Sequence, residues 1–442
     1  MDKTTLINVL KDNGVVGAGG AGFPTYAKID ERAKTIILNC CECEPLLKLH
    51  RQLLEKHTEE IVSAFELIRE TVGAEQAVIG IKKTYTATIE ALNAVVGDYE
   101  KVSVKQVDAV YPAGDEVVLI YEVTNKVIRP GGLPIESGVA VFNVETVYNL
   151  AMALKGQPVS SKVVTIACEV KSPKTVRVPL GMSLQSVVQL AGGETCEDSV
   201  YFVGGPMMGN IMPKNSTITK TTNAILVLSK DHYLVNRKKS NNKVNLKRAA
   251  AACCQCNFCT DLCPRHMLGH PIDPAKFMRA ATCKDLQDTS VFTDALYCSS
   301  CGLCELYSCT QGLSPRTLLL EMKNALRIAG VKPDKDVKTK PVAIQREMRK
   351  APVKRLEARL DLVKYDKPSP FSNELVLCDV VKINLSQHIG APAVSVVKQG
   401  DSVKTGDLIA KAGNGLSVNI HASIDGMVTD VTNKYVEIKK VR

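Results

Sequence analysis

Two crowded runs of cysteine are the residues of this sequence with the clearest chemistry. The run "CCQCNFCTDLCP" begins at Cys253 and the run "CSSCGLCELYSC" begins at Cys298, so ten of the sixteen cysteines lie between residues 253 and 309. Apart from Cys254, successive cysteines are three, three and four positions apart in the first run, and three, three and five in the second. Thiolates spaced in this way wrap one [4Fe–4S] cluster while the intervening backbone N–H groups point at its sulfurs. The sequence therefore predicts two such clusters, and with them electron transfer.

The fourth cysteine of each run opens away from the other three, and in ferredoxins with two clusters it binds the other cluster. We name the predicted sites cluster one, with Cys253, Cys256, Cys259 and Cys309, and cluster two, with Cys263, Cys298, Cys301 and Cys304. Thr310 stands where a proline usually follows the run, and Cys254 and Cys283 are off the pattern, so we expect these two cysteines to be bystanders. Structural zinc is the alternative, but zinc sites usually close with two pairs of ligands.

A glycine-rich loop and the end of an apolar strand form a second candidate site. The loop "GVVGAGGAGFPTYAK" spans residues 14–28, and its glycines would let backbone N–H groups approach a phosphate closely. The buried-strand pattern "TIILNC" follows and leads into "CECEP", so that Glu42 and Glu44 come shortly after Asn39. Ligands bind at the carboxyl ends of strands in α/β sheets. A thiol site in "CCEC" is the alternative interpretation, and buried strand-end cysteines are the simpler one.

Alternating strand and helix patterns divide the chain into several domains that position these candidates. Residues 1–155 alternate apolar strand runs with helical periodicity, which predicts an α/β domain. Residues 156–240 give two β-rich runs and then a helix, which suits a β-grasp module, and residues 241–330 place the cysteines among helices. Residues 331–370 are rich in Lys and Pro and predict a basic, solvated linker. Residues 371–442 are strand-rich and predict a small all-β unit.

The composition is that of a globular protein, with 45% hydrophobic and 23% charged residues. No apolar run approaches the roughly 18 residues of a membrane span, and the first residues lack the features of a signal peptide. We therefore expect a cytoplasmic protein without a transmembrane segment, whose cysteines serve metal or redox chemistry. The net charge of +10 could indicate nucleic-acid binding, but only 5% of the residues are aromatic and many cations lie in residues 332–360, so we expect no such partner.

The sequences "GAGGAGFPT", "ECEP", "YPAGDE" and "FNVET" together resemble the flavin- and NADH-binding subunit of respiratory complex I, and still more the RnfC subunit of the Rnf electron-transfer complex. The resemblance implies an iron–sulfur flavoprotein that uses FMN, two [4Fe–4S] clusters and NADH. It implies that the cofactors are bound by Gly17, Gly19, Gly20, Gly22, Phe23, Lys28, Asn39, Glu42, Tyr111, Asp115, Asn143 and Thr146. It also makes Glu44, on the dinucleotide side, and Glu116 the candidate catalytic carboxylates. Cys41, Asp115 and Phe142 depart from the family's residues, and each departure removes or alters a polar contact.

The order of the domains resembles that of the PduS-type cobalamin reductases of propanediol-utilisation microcompartments. In RnfC, a lipoyl-like barrel-sandwich hybrid precedes the flavin domain, whereas here "INLSQHIGAPAVSVVKQGDSVKTGD" and "VNIHASIDGMV" come last. The resemblance implies an SLBB-type β-grasp domain over residues 156–240, a helical dicluster ferredoxin-like domain over 241–330 and a C-terminal barrel-sandwich hybrid over 371–442. The hairpin tip "AKAGNGL" lacks the flanking residues of a carrier lysine, so we expect Lys411 to be an ordinary surface residue.

The same resemblance implies that the electron acceptor is cobalamin and that the chain lies inside a bacterial microcompartment, with an adenosyltransferase or shell proteins as partners. His266 and His270 follow Cys263 closely and are candidates for contact with a corrin, although a hydrogen-bonded scaffold role is the alternative. A second functional class stays open, namely an electron-transfer protein that donates to a partner protein, as RnfC and the proline-reductase electron-transfer protein do.

Overall fold

The computed structural model describes residues 1–283 and 289–441. The elements of its N-terminal domain are α1 (Lys3–Asp12), β1 (Thr35–Cys40), α2 (Leu49–Lys56), α3 (Thr58–Val72), β2 (Gln76–Lys82), α4 (Thr86–Val96), β3 (Val102–Val107), β4 (Val110–Tyr111), α5 (Glu116–Thr124), β5 (Val139–Asn143) and α6 (Val144–Leu154). Four of the strands form a parallel sheet in the order β3-β2-β1-β5. This is the α/β architecture that the sequence predicts.

The apolar sequence of β1 explains its central place in this sheet. Five of its six residues are buried, as expected for a parallel strand covered on both faces. Helix α3 buries Ile61, Phe65 and Ile68 at helical spacing and ends at Gly73, whose φ of 70° is in the left-handed region that glycine accepts. Strand β1 has β2 on one side and β5 on the other, so the direction of the strand order reverses at β1. Such a switch point opens a crevice at the carboxyl ends of the strands.

The second domain carries a mixed sheet. Its elements in chain order are the strands β6 (Ser161–Cys168) and β7 (Lys174–Pro179), helix α7 (Leu184–Leu190), the strands β8 (Ser199–Val203), β9 (Asn210–Met212) and β10 (Ala224–Ser229), and helix α8 (Tyr233–Lys238). Strands β6 and β7 form the predicted antiparallel hairpin. Helix α7 follows with Ser183 as its N-cap, because the Ser183 side chain accepts a hydrogen bond from Ser186 N. The loop between β8 and β9 contains "GGPMMG" and faces the first domain.

The cysteines lie among short helices in the third domain. Its helices are α9 (Asn242–Ala252), α10 (Phe258–Asp261), α11 (Pro264–Met267), α12 (Pro274–Thr282), α13 (Ser290–Thr293) and α14 (Pro315–Ile328), with a π-helical turn at Cys304–Ser308. Phe277, Met278, Leu318 and Leu319 are part of a small apolar core against which several of the cysteines pack. The short helices alternate with loops that carry the thiols.

The predicted solvated linker is wrong for much of its length. Strand β11 (Ala351–Pro352) pairs with β4, and helix α15 (Val353–Arg359) follows it. Leu356, Leu360 and Leu362 are fully buried in the main core. Basic side chains near these leucines, such as that of Lys354, stay exposed, while the apolar side chains anchor the segment.

The C-terminal strands are β12 (Phe371–Leu375), β13 (Val380–Asn384), β14 (Val394–Ser395), β15 (Ser402–Val403), β16 (Leu408–Lys411), β17 (Ile420–His421), β18 (Gly426–Val431) and β19 (Tyr435–Lys439). From β13 onward they form two small sheets that enclose a separate apolar core. Strand β12 instead pairs with β7 at the edge of the β-grasp sheet, although the sequence assigned it to the last unit. No helix within the described ranges is long and apolar enough to cross a membrane.

Candidate functional site

A cavity of about 440 Å³ opens at the carboxyl ends of β1 and β5, and we refer to it as the strand-end cavity. Ligand pockets commonly have volumes of about 300–1,000 Å³. Apart from Gly22, every residue predicted to bind FMN or NADH or to act in catalysis lines it: Gly17, Gly19, Gly20, Phe23, Lys28, Asn39, Glu42, Glu44, Tyr111, Asp115, Glu116, Asn143 and Thr146. The departing residues Cys41 and Phe142 line it too.

Gly22 does not line the cavity and lies instead at a close contact with other parts of the chain. Its φ is 69°, and a Cβ at this position would lie 2.8 Å from Thr221 Cγ2 and 3.2 Å from His388 Cα. Next to it, Ile389 N donates a hydrogen bond to Ala21 O at 3.0 Å. The glycine therefore permits close packing between the loop and the C-terminal strands, because any other residue would be both strained and crowded.

The rest of the glycine loop is held against α6 with part of its backbone open. Ala18 N donates to Thr146 Oγ1 at 2.9 Å, and Gly17 N donates to Phe23 O at 2.9 Å. Gly20 has a φ of 63°, and no atom lies within 4 Å of the place a Cβ would take. Its backbone is therefore accessible to a phosphate group from the cavity side.

Three buried polar atoms in the cavity wall lack a hydrogen-bond partner within the described residues: Thr25 Oγ1, Glu42 Oε2 and Asn223 Oδ1. Buried polar groups are nearly always paired, because an unsatisfied one costs about 1–3 kcal/mol. The unpaired atoms and the open loop fit a ligand that carries a phosphate and a polar ring edge, as FMN does. Sequence reasoning missed Asn223, which reaches the cavity from the β-grasp domain and belongs to no recognisable motif.

Charged groups in the cavity are paired or neutral. Lys28 Nζ donates to Val141 O at 2.9 Å and to Glu116 Oε1 at 3.1 Å, which connects the loop to β5 and α5. Glu42 Oε1 accepts from His50 N at 2.8 Å, and burial raises the pKa of this carboxyl group although Arg51 opposes the shift. Burial lowers the pKa of His50 to about 3, so its ring is neutral at physiological pH.

The cysteines at the end of β1 do not form a reactive thiol site. Burial raises the pKa of Cys41 far above its usual range and that of Cys43 to about 12, so both stay protonated. Cys43 Sγ accepts a hydrogen bond from Gly114 N at 2.7 Å. A side chain at Gly114 would overlap Cys41 O, so the glycine allows the α5 loop to approach the strand end. The buried strand-end interpretation accounts for these thiols.

Glu44 fixes the "GGPMMG" loop at the cavity wall. Its two carboxylate oxygens accept hydrogen bonds from Met207 N and Met208 N, both at 2.8 Å. Burial raises the pKa of Glu44 to about 7, although the two backbone donors oppose this shift. The carboxylate predicted to act in catalysis therefore has a structural partner in the second domain.

The thiols of the two cysteine runs line two further cavities. Cys253, Cys256, Cys259 and Cys309 line one of them, together with Cys254. The other is lined by Cys263, Cys298, Cys301 and Cys304. The two sets are the ligand sets predicted for cluster one and cluster two. Among the described residues, no group of three or more His, Cys, Asp or Glu side chains has the arrangement of ligands around a single metal ion.

The cluster-two cavity adjoins the strand-end cavity, since Ser299 and Cys301 line both. Tyr111 joins the two sites, because its hydroxyl group donates to Cys301 O at 2.5 Å. The cluster-one cavity shares no lining residue with the strand-end cavity, and Cys256 at its rim is exposed. The cluster-two cavity is therefore the one that adjoins the strand-end cavity, and the cluster-one cavity is the one with an exposed cysteine at its rim.

The two histidines after Cys263 belong to the scaffold. His270 is buried and its Nε2 lies 2.9 Å from Ile128 O, while His266 Nδ1 lies 2.9 Å from Ile272 O. Neither histidine lines the strand-end cavity or either of the two cluster cavities. Lys411 ends β16 with an exposed side chain, as the sequence predicts.

Four family models match successive parts of the chain. The Nuo51 FMN-binding domain matches residues 10–152, and the SLBB domain matches residues 163–210. The 4Fe-4S dicluster domain matches residues 252–314, and the RnfC barrel sandwich hybrid domain matches residues 372–441. These matches support FMN and iron–sulfur clusters as the cofactors, and the predicted kinds of domain.

Individual proteins are similar over various lengths. Cobalamin reductase PduS of Salmonella typhimurium is 37% identical over 428 residues, which cover 96% of this chain and 94% of that protein. The C component of the Na(+)-translocating ferredoxin:NAD(+) oxidoreductase complex of Acetobacterium woodii is 30% identical over 63% of this chain and 61% of its own. A crystal structure of an NAD+-reducing [NiFe]-hydrogenase in the air-oxidized state has a TM-score of 0.51 at 19% identity, covers 83% of this chain and 68% of its own, and shows a shared fold alone.

Proposed function

The chain belongs to the family of the cobalamin reductases PduS, and from this we propose that it is an oxidoreductase that passes electrons from NADH to cobalamin. Its cofactors are FMN and two [4Fe–4S] clusters. The observation that carries the proposal is the contact between the strand-end cavity and the cluster-two cavity, which share Ser299 and Cys301 in their walls.

Different residues of the strand-end cavity hold FMN and contact NADH. The open backbone at Gly20 fits the phosphate, and the unpaired atoms of Glu42 and Asn223 fit the polar edge of the ring system. FMN, when bound, accepts the electron pair of NADH and releases electrons singly. Lys28 holds Glu116 at the cavity wall, where this carboxylate can meet the dinucleotide.

Eight cysteines hold the two clusters, in the sets that line the two smaller cavities. The clusters, when bound, carry one electron each at a time. Tyr111 fixes the backbone of Cys301 against the strand-end cavity, which keeps the path between the sites short. Because Cys256 at the rim of the cluster-one cavity is exposed, the electron acceptor meets the protein at cluster one.

The test is anaerobic purification with iron, sulfide and flavin analysis, followed by NADH and then by cob(III)alamin in an absorbance spectrometer. We expect about eight iron atoms and one FMN per chain, bleaching on NADH addition and recovery of the absorbance with cob(III)alamin. Bleaching without cobalamin reduction would favour the second class, an electron-transfer protein that donates to a partner protein, which the similarity to the Acetobacterium woodii protein also supports. Absence of bleaching would contradict both.

Location and protein partners belong to the same proposal. We place the chain inside a bacterial microcompartment, with an adenosyltransferase or shell proteins as neighbours. Near full-length similarity to the cobalamin reductases PduS supports this. Purified microcompartments that lack the protein would contradict the placement.

A further inference from the structure

A largely buried arginine side chain lies between the strand-end cavity and the cluster-two cavity. Arg265 lies on α11, two residues after the predicted ligand Cys263, and lines the cluster-two cavity. Its Nη2 donates to Asp115 Oδ2 at 2.9 Å, and the two side chains are only 17% and 14% exposed. Asp115 in turn lines the strand-end cavity. One ion pair therefore spans the wall between the two sites.

Asp115 is held in place independently of this arginine. It is the N-cap of α5, where its Oδ1 accepts from Val117 N at 3.1 Å and from Val118 N at 3.2 Å. Its other oxygen faces Arg265. The short side chain of Asp115 can therefore cap the helix with one oxygen and meet the guanidinium group with the other.

The Arg265 Nε–H group has no hydrogen-bond partner among the described residues, although the atom is buried. A buried, unpaired donor on a charged group is costly, and a protein rarely tolerates one without an acceptor at hand. The surrounding cavity is lined by Cys263, Cys298, Cys301 and Cys304. Apart from the hydroxyl group of Ser299, sulfur is the side-chain acceptor that this cavity offers to the group.

We propose that Arg265 donates a hydrogen bond from Nε to the sulfur of cluster two and thereby raises the reduction potential of that cluster, while Asp115 offsets part of the charge. This inference rests on the proposed function only in that cluster two must be present. Cluster potentials depend on nearby charge, hydrogen bonds to sulfur and solvent exposure. A cation close to the cluster favours the reduced form, which carries one more negative charge. The pair thus makes cluster two the favoured first recipient of an electron from the strand-end cavity.

The test is a redox titration of the full chain with dithionite and mediators, followed by EPR. Arg265→Gln should lower one of the two cluster potentials by an amount that corresponds to at least tenfold in the equilibrium constant, which is about 59 mV for one electron. Arg265→Lys should recover only part of the shift, since it keeps the charge and loses the Nε donor. Asp115→Asn should shift the same potential upward, because Asn still caps α5 and removes the opposing charge.

Two controls make the outcome specific. Arg279→Gln removes a guanidinium group that lies beside cluster one and donates to Asn257 Oδ1, and it should leave the affected potential unchanged. Cys256→Ser perturbs cluster one and identifies which potential belongs to which cluster. If Arg265→Gln fails to assemble cluster two, the direction in which Asp115→Asn shifts the reduction potential decides whether the inference holds.

Equal potentials in all variants, or shifts of the same sign for Arg265→Gln and Asp115→Asn, would overturn the inference. Because dithionite replaces NADH, a wild-type protein that NADH cannot reduce would refute the proposed function and leave this test intact. A wild-type protein that holds no second cluster after anaerobic reconstitution would overturn both.

Discussion

Cys254 and Cys256 are both exposed and line the same cavity, but only Cys256 fits the ligand spacing. We predict that Cys256→Ser lowers the iron content from about eight atoms per chain toward about four, because serine is a poor ligand for an iron–sulfur cluster. Cys254→Ser should retain all of the iron. Iron and sulfide analysis after anaerobic purification, with EPR of the reduced protein, measures both variants.

The pair of variants is its own matched control, since each removes one sulfur from the same rim. Loss of iron in Cys254→Ser with retention in Cys256→Ser would contradict the assignment and would move the ligand to Cys254. Equal loss in both would mean that the cavity needs both thiols.

At the level of residues, sequence spacing predicted what depends on local chain geometry. The cysteines of each run lie within a dozen positions, so their spacing alone restricts where the thiols can go. The partner of Asp115 could not be predicted, because Arg265 is 150 positions away and reaches it only when two domains pack. The close packing at Gly22 could not be predicted for the same reason, since its neighbours Thr221 and His388 come from distant parts of the chain.

At the level of elements, the loop between β8 and β9 approaches the cavity wall most closely at Gly205. A Cβ at this position would overlap Cβ, Cγ and Cδ of Glu44. We predict that Gly205→Ala displaces Glu44 from Met207 N and Met208 N, destabilises the protein by about 1–3 kcal/mol and lowers its FMN content. Urea unfolding and flavin analysis of the purified variant measure the two effects.

Gly97→Ala is the matched control for this substitution. Gly97 ends α4 with a φ of −58°, and nothing lies within 4 Å of its added Cβ. Its free energy of unfolding should change by less than about 1 kcal/mol, with FMN content unaffected. If Gly205→Ala behaves like Gly97→Ala, the close contact with Glu44 does not hold the loop.

The sequence predicted elements well where one segment provides its own pattern. The apolar run of β1 and the helical period of α3 are local signals, and both elements lie where expected. The pairing of strand β12 with β7 could not be predicted, because it joins residues almost 200 positions apart. The segment around α15 looked solvated because its many Lys and Arg residues obscured three leucines that reach the core.

At the scale of the whole molecule, the strand-end cavity is assembled from three domains. Lys28 and Asn39 come from the first domain, Met208 and Asn223 from the second, and Ser299 from the third. The loop between β13 and β14 packs against the glycine loop at Gly22. Flavin binding therefore depends on how the domains fit together, which no single motif could reveal.

Lys220 lies where the β-grasp domain, the glycine loop and the C-terminal strands meet. Its Nζ is buried and donates to Gly14 O at 2.7 Å and to Asn419 O at 3.2 Å. Within the described part of the chain, no carboxylate is among the hydrogen-bond partners of this amine, and burial lowers its pKa from 10.5 to about 7. Burial and the charge of Lys220 lower the pKa of the neighbouring His421 to about 4, so that ring stays neutral above pH 7.

The buried amine of Lys220 makes the stability of this junction depend on pH. Between about pH 7 and pH 10.5 the unfolded chain keeps a proton on Lys220 that the folded protein releases, so rising pH stabilises the folded state across this window. Lys220→Met removes this dependence and leaves two carbonyl groups without a donor. Urea unfolding should therefore show that the wild type's advantage over Lys220→Met grows by about 3 kcal/mol from pH 7 to about pH 9.5. Lys230→Met, at an exposed lysine, should show the same difference from wild type at both pH values. If the difference in the free energy of unfolding between the wild type and Lys220→Met is the same at both pH values, the buried amine keeps its proton. The domains then meet around a positively charged Lys220.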